Sequence, residues 1–159
     1  MKSTFIIIVL LIFGLNSKAQ TAERLLKGRI DFQKQLIDSK EYPWFPSGME
    51  NYAPSDSIIK LISPKLKDIE ITIFMGTWCS DTQLNLPQFY KVLKIAKYPL
   101  QKIELIGVDR DKISTTNQET KYGISAIPVF IIKKKGVEIG RITESFQNSP
   151  ELDLFELLK

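Results

Sequence analysis

One residue of this 159-residue chain carries a thiol, Cys79, and the chain has no histidine. Without an imidazole, the Ser-His-Asp and Cys-His routes to a nucleophile are closed, and the commonest zinc ligand is missing. What remains is a sulfur whose activity depends on its surroundings, because the thiolate attacks and the thiol does not. At the ordinary pKa of ~8.5 about 3% of a thiol is ionised at pH 7, whereas at ~6.5 roughly three quarters would be. Trp78 directly precedes Cys79, and Thr82 follows one helical turn later, where its hydroxyl can reach the sulfur. The alternative for a solitary cysteine is a buried structural thiol, since free cysteine is among the most buried residue types. Asp109 and Asp111 form the only close carboxylate pair that suggests a metal ligand set. They follow an apolar run and read better as a loop and a helix start, so neither a metal nor a cofactor is expected.

The elements around Cys79 decide between those readings. Ile69, Ile71 and Ile73 alternate with Glu70 and Thr72, the period of a strand, and Phe74 extends it. Beyond the cysteine, Leu86, Phe89, Tyr90, Leu93 and Ala96 recur at helical spacing. Cys79 is thereby placed where a strand ends and a helix begins. The free N–H groups and the dipole of the helix start favour negative charge there, which makes an exposed thiolate the expectation.

Upstream, Leu25, Leu26, Ile30, Phe32, Leu36 and Ile37 predict an amphipathic helix from Thr21 to about Lys40, weakened by Gly28. The stretch from Glu41 to Pro54 has three prolines and a glycine and is predicted as loop, yet it carries four aromatics. Those rings either cover the core from outside or wall a substrate groove. Asp56 can cap a short helix that stops before Pro64. Downstream, Ile103 to Val108 reads as a buried strand. Thr116 with Glu119 forms a capping box for a helix closed by Gly123. Val129–Ile132 and Val137–Ile142 form a hairpin about Lys135-Gly136, and Ser149-Pro150 opens a last helix. The order implies an α/β fold with a mixed central sheet flanked by helices.

The chain begins as exported chains do. Lys2 supplies a positive start, Phe5 to Leu15 an apolar run too short to span a bilayer, and Ser17-Lys18-Ala19 a small-x-small cleavage site. Residues 1–19 are therefore expected to be a signal peptide, leaving no stable membrane anchor after cleavage, and the mature protein to be periplasmic or secreted. The formal charge of +4 falls by two when Lys2 and Lys18 leave. What remains is too small and too evenly spread to indicate nucleic acid or an anionic membrane. With one cysteine no internal disulfide can form, so the fold must rest on packing.

Several motifs together resemble the thioredoxin superfamily over Ile69 to Lys159. Trp78-Cys79 looks like the pair that opens its active-site motif. Pro87 matches the proline that kinks the active-site helix, and Lys121-Tyr122-Gly123-Ile124-x-x-Ile127-Pro128 resembles the stretch that ends in the family's cis-proline. The resemblance implies a thioredoxin-like domain over 68–159 preceded by a helical extension over 20–67. It implies Cys79 as the nucleophile, and Trp78, Ile127 and cis-Pro128 as the surface that receives an extended peptide. Two positions depart from the pattern: the resolving cysteine is replaced by Thr82, and the buried acid six residues before Cys79 by Ile73.

A lone thiolate forms a mixed disulfide that an external thiol must resolve. The expected partners are protein thiols or disulfides, or a low-molecular-weight thiol, with Cys79 and Thr82 as the catalytic pair. The competing reading is a redox-silent thioredoxin-fold module that binds peptide or protein through the same groove. Thiol-based peroxide reduction fits less well, since Gly76 stands where that chemistry has a threonine.

Overall fold

The computed structural model describes residues 24–159. The expected signal peptide lies outside them, and no helix among the described residues is long and apolar enough to cross a membrane. A five-stranded mixed sheet forms the centre, in the order β1-β3-β2-β4-β5. The strands are β1 (Gly28–Ile30), β2 (Ile69–Met75), β3 (Ile103–Gly107), β4 (Val129–Lys134) and β5 (Val137–Thr143). β2 and β3 run parallel, and the other three pairings are antiparallel. The helices are α1 (Trp44–Asn51), α2 (Asp56–Ile62), α3 (Ser80–Ile95), α4 (Gln118–Tyr122) and α5 (Pro150–Leu157).

Strand alternation sorts the apolar residues into two cores, since successive side chains leave opposite faces of a sheet. Ile69, Ile71, Ile73 and Met75 of β2 join Leu105, Phe130 and Ile132 in the larger core, which α1, α2, α3 and α5 cover with Phe45, Ile59, Leu86, Phe89 and Leu154. On the other face Phe74, Ile106, Val129 and Ile131 build a smaller core with Val108 and Ile127. Cys79 and Trp78 pack against this second core, together with Tyr122 and Ile124.

The N-terminal extension departs from its expectation. Instead of a helix over 21–40, the described part forms β1 and a π-helical turn over Phe32–Ile37. Asp31 accepts from the Lys34 amide at 3.1 Å to start that turn, while Gln35 Oε1 accepts from the Asp31 amide at 2.8 Å. β1 pairs with β3, with Gly28 opposite Gly107. Their lack of side chains permits the approach: a Cβ at Gly107 would lie 2.2 Å from the Leu26 carbonyl, and one at Gly28, which has φ +86°, 2.4 Å from Thr115 Oγ1. The free edge of β3 thus captures a segment whose apolar residues also fit a helix.

The aromatic stretch is likewise a helix, α1, rather than a loop. Pro43 caps it and Pro46 lies in its first turn, where a missing N–H costs nothing. Phe45 and Tyr42 are buried in the larger core, with the Phe45 ring 5.4 Å from that of Tyr90 and 5.8 Å from that of Phe32. A Cβ on Gly48 would meet Pro87 Cγ at 2.5 Å, so α1 is pressed directly against α3. These rings pack in the core and do not wall a groove at Cys79.

The other helix starts follow the sequence with small shifts. Ser55 rather than Asp56 is the cap of α2, and Ser149 caps α5 by accepting from the Leu152 amide, with Pro150 in the first turn. The Thr116–Glu119 capping box does not form. Asn117, in the left-handed region, precedes α4, and Glu119 accepts instead from the amide and hydroxyl of Ser114 at 3.0 and 2.5 Å. Gly123 ends α4 at φ +63°, as the sequence indicates.

Candidate active site at the start of α3

Cys79 is the N-cap of α3, with extended backbone (φ −89°, ψ 124°). β2 delivers it: the strand ends at Met75, and Cys79 N–H donates to Gly76 O at 3.0 Å to close a tight turn. The Gln83 amide donates to Cys79 O at 3.0 Å, and the Gln83 side chain donates to Thr77 O at 2.7 Å. The turn is therefore held on both sides of the sulfur. Cys79 itself is half-buried, so the thiol is partly open to solvent.

Across from it runs the segment before β4. The Ile127–Pro128 bond is cis, and the Cys79 thiol donates to Ile127 O at 3.6 Å. Pro128 O accepts from the Glu144 amide at 2.7 Å, which ties the proline to the loop after β5. Asn85, buried on α3, donates to both Asp81 O (2.9 Å) and Glu144 O (3.0 Å). One amide side chain thus joins the helix start to that loop.

Trp78 forms the other wall. Its indole N–H donates to Val108 O at 3.2 Å, and the Arg110 guanidinium lies 5.3 Å above its ring. Gly76 sits beneath, where a Cβ would lie 2.6 Å from Trp78 Nε1 and 2.9 Å from Ile127 Cδ1. Glycine at 76 is what lets the tryptophan and the cis-proline segment close around the thiol. The loop after β3 is fixed by Asp109, whose Oδ1 accepts from the Asp111 and Ile113 amides at 3.0 and 2.9 Å. Its other oxygen receives Lys27 Nζ at 2.6 Å. The Lys27 hydrogen bond, with those amides behind it, lowers the Asp109 pKa below the usual carboxylate value. Among the described residues no group of three or more His, Cys, Asp or Glu is placed to hold a metal.

Of the five residues singled out in the sequence, Trp78, Cys79, Ile127 and Pro128 lie together in the fold. Thr82 stands behind them. It is fully buried, its oxygen accepts from the Gly76 amide at 3.4 Å, and no hydrogen bond joins it to Cys79. Its hydroxyl supports the turn rather than the sulfur. Ile73, at the position of the missing acid, is buried between Leu105 of β3 and Phe130 of β4. Arg110, Asn85 and the Lys27–Asp109 pair escape the sequence reading. The Asp109-x-Asp111 pattern does signal a side-chain-capped loop, but nothing local points Arg110 at a tryptophan 32 positions earlier.

Two cavities, of about 650 and 440 Å³, open at the opposite end of the sheet. The larger is lined by Arg29, Phe32, Tyr90 and Ile103, the smaller by Ile69, Lys134 and Leu158. Ile69 begins the strand whose other end leads to the thiol, and Ile103 begins the parallel strand beside it. Cys79 lines neither cavity.

The family model described as Thioredoxin matches residues 45–150. No curated protein matches the chain. Among solved structures, a Pseudomonas aeruginosa protein of unknown function is similar at 16% identity and a TM-score of 0.50, covering 72% of this chain and 77% of that one. Fasciola hepatica thioredoxin is 24% identical over 62% of this chain and 86% of its own, with a TM-score of 0.40. Saccharomyces cerevisiae mitochondrial thioredoxin 3 in its oxidised form is 22% identical over 54% and 77%, with a TM-score of 0.37. The family match spans most of the chain and contains α3, Cys79 and the cis-proline, and the chain belongs to the thioredoxin family.

Proposed function

We propose that the protein is an exported, monothiol member of its family that exchanges thiols and disulfides through Cys79. The observation that carries this reading is a half-buried thiol at the N-cap of α3, 3.6 Å from the carbonyl before a cis-proline, with Trp78 beside it. The thiol faces the backbone of Ile127 and cis-Pro128, an arrangement that suits an extended polypeptide. In the first step Cys79 gives up its proton and its sulfur attacks one sulfur of a client disulfide. The client S–S bond breaks, a Cys79–client S–S bond forms, and the other client sulfur leaves as a thiolate that takes up a proton. No second cysteine can attack the adduct from within. An external thiolate, from the client or a low-molecular-weight thiol, therefore attacks the client sulfur of the adduct; a new S–S bond forms there, the Cys79–client bond breaks, and Cys79 leaves as a thiolate that takes up a proton. Export is supported by Lys2, the apolar run Phe5–Leu15 and Ser17-Lys18-Ala19.

The test is mass spectrometry of the folded protein with a disulfide-bonded peptide. One peptide adduct at Cys79, reversed by added thiol and absent in Cys79→Ser, is expected. If the folded protein stays unmodified while the unfolded chain reacts, thiol exchange is wrong. A second reading, a binding module without redox chemistry, is favoured by the apolar Ile73 and the buried hydroxyl of Thr82 at the two positions that assist dithiol turnover in the family. It predicts that Cys79→Ser binds the same peptide with undiminished affinity. N-terminal sequencing of the protein recovered from outside the cytoplasm tests export, with Gln20 as the expected first residue.

A further inference from the structure

We infer that Arg110 makes this site selective for disulfides flanked by an acidic residue in a client polypeptide. The inference rests on the thiol-exchange reading above and names the client that reading leaves open. Arg110 is exposed, its guanidinium lies 5.3 Å over the Trp78 ring, and no carboxylate among the described residues lies within ion-pair distance of it. The nearby cation Lys27 is different, since Asp109 neutralises it at 2.6 Å. A cation over the ring of the residue that adjoins the nucleophile stands beside the site, and its donors remain free to fork onto a carboxylate.

The charge around the thiol is also polarised. β3 and β4 flank β2 on opposite sides, so the loop after β3 and the loop after β5 lie on opposite sides of the end of β2 that leads to Cys79. Arg110 belongs to the first loop and contacts Trp78. Glu144 belongs to the second, beside Pro128, and Asn85 links its backbone to that of Asp81 in the first turn of α3. A bound segment therefore meets the cation that contacts Trp78 on one side, in a loop whose Asp109 is paired with Lys27 and which also carries Asp111, and the acidic residue Glu144 on its Pro128 side. An acidic residue next to the client cysteine is attracted on the first side and repelled on the second, so the same charges also set the direction in which the segment lies. The backbone of Ile127 and cis-Pro128 that faces Cys79 suits an extended chain, which points to a polypeptide as the source of that carboxylate rather than a small acidic disulfide.

The experiment uses the full chain and synthetic peptides whose cysteine is activated as a pyridyl disulfide. Attack by Cys79 forms the peptide–Cys79 disulfide and releases the uncharged pyridinethione, which is read by absorbance. Three peptides carry Glu, Gln or Lys beside the cysteine, and glutathione activated in the same way serves as the small carboxylated disulfide. The wild type is expected to prefer Glu over Gln by about three- to fivefold at low salt, the size of an exposed ion pair, with Lys slowest and the preference fading as salt rises. In Arg110→Gln the Glu-to-Gln ratio is expected to fall to about one, whatever the absolute rates, and in Arg110→Lys to recover in part. Equal rates for Glu and Gln in the wild type, or an unchanged ratio in Arg110→Gln, overturn the selectivity while leaving thiol exchange standing. Activated glutathione outpacing the Glu peptide overturns the polypeptide assignment. No reaction with any peptide overturns both this inference and the exchange reading on which it rests.

Discussion

Thr82→Cys tests whether residue 82 stands where a resolving cysteine would. Two helical residues three apart have Cβ atoms about 5–6 Å apart, whereas a disulfide needs roughly 3.5–4.5 Å. Cys79 is not helical: as N-cap its backbone is extended, and an N-cap side chain naturally reaches back over N3, the position of residue 82. The pair can therefore close. Two effects oppose each other. The substitution removes the oxygen that accepts from the buried Gly76 amide, and since that bond is long at 3.4 Å, the reduced variant should lose about 1 kcal/mol. Closing a four-residue loop removes about 6 cal/mol/K of unfolded-state entropy, about 2 kcal/mol at 25 °C, so the oxidised variant should end about 1 kcal/mol above wild type. For a chain of this size that is a melting point about 3 °C below wild type when reduced and about 3 °C above it when oxidised. Thermal melts with and without reductant, with thiol titration and mass measurement, read all of this. The wild type should form only mixed disulfides or dimers on mild oxidation; the variant should lose both thiols as a monomer and release a bound peptide without added thiol. A variant that keeps two free thiols, or only dimerises, would refute the register and with it the monothiol assignment.

Gly76→Ala places a methyl 2.6 Å from Trp78 Nε1 and 2.9 Å from Ile127 Cδ1, so the indole must leave Val108 O; a loss of about 1–3 kcal/mol and altered Trp78 emission are expected, and unchanged melting and emission would show that the turn has room. Asp109 has a lowered pKa in the fold, so its contribution is complete above the unfolded value of about 3.9 and is lost as pH falls through the lower folded value. Lys27→Met removes the main cause of that shift, and amide exchange over 109–113 should rise at a higher pH than in wild type; identical profiles would contradict the assignment. Phe45→Ala, fully buried against Phe32 and Tyr90, should cost about 3–5 kcal/mol by thermal or denaturant unfolding, and a cost below 1 kcal/mol would mean that α1 lies outside the core.

The core of the fold is legible where local pattern and tertiary need agree. β2 alternates, α3 has an apolar face, and Lys135-Gly136 takes the left-handed turn (φ 52° and 79°) that a tight hairpin requires. The extension is ambiguous in the sequence because its residues satisfy two periods. Leu26, Gly28, Ile30 and Phe32 are buried while Lys27, Arg29 and Asp31 are exposed, a strand-like alternation within a stretch that also spaces leucines and isoleucines as a helix would. What selects the strand is the free edge of β3, which lies about 75 residues downstream and leaves no local trace. The prolines of 43–54 mislead for a different reason: proline breaks a helix interior but fits its first turn. At the site, the residues that touch the thiol were readable from motif, and Arg110 and Asn85 were not, because their partners come from distant loops.

The contact of Gly48 with Pro87 bears on how the molecule melts. The helix that carries Cys79 is buttressed from behind by α1, and Leu36, Tyr42 and Phe45 belong to the same core as Leu86, Phe89 and Phe130. Residues 24–66 are therefore not an appendage whose fraying would leave the rest intact. The whole described chain should behave as a single cooperative unit, with one transition by every probe. The slow opening that exposes the amides of α3 should cost nearly as much as global unfolding. The loops over 109–117 and 143–149, held by side-chain hydrogen bonds rather than by ladder or helix bonds, should open at lower cost.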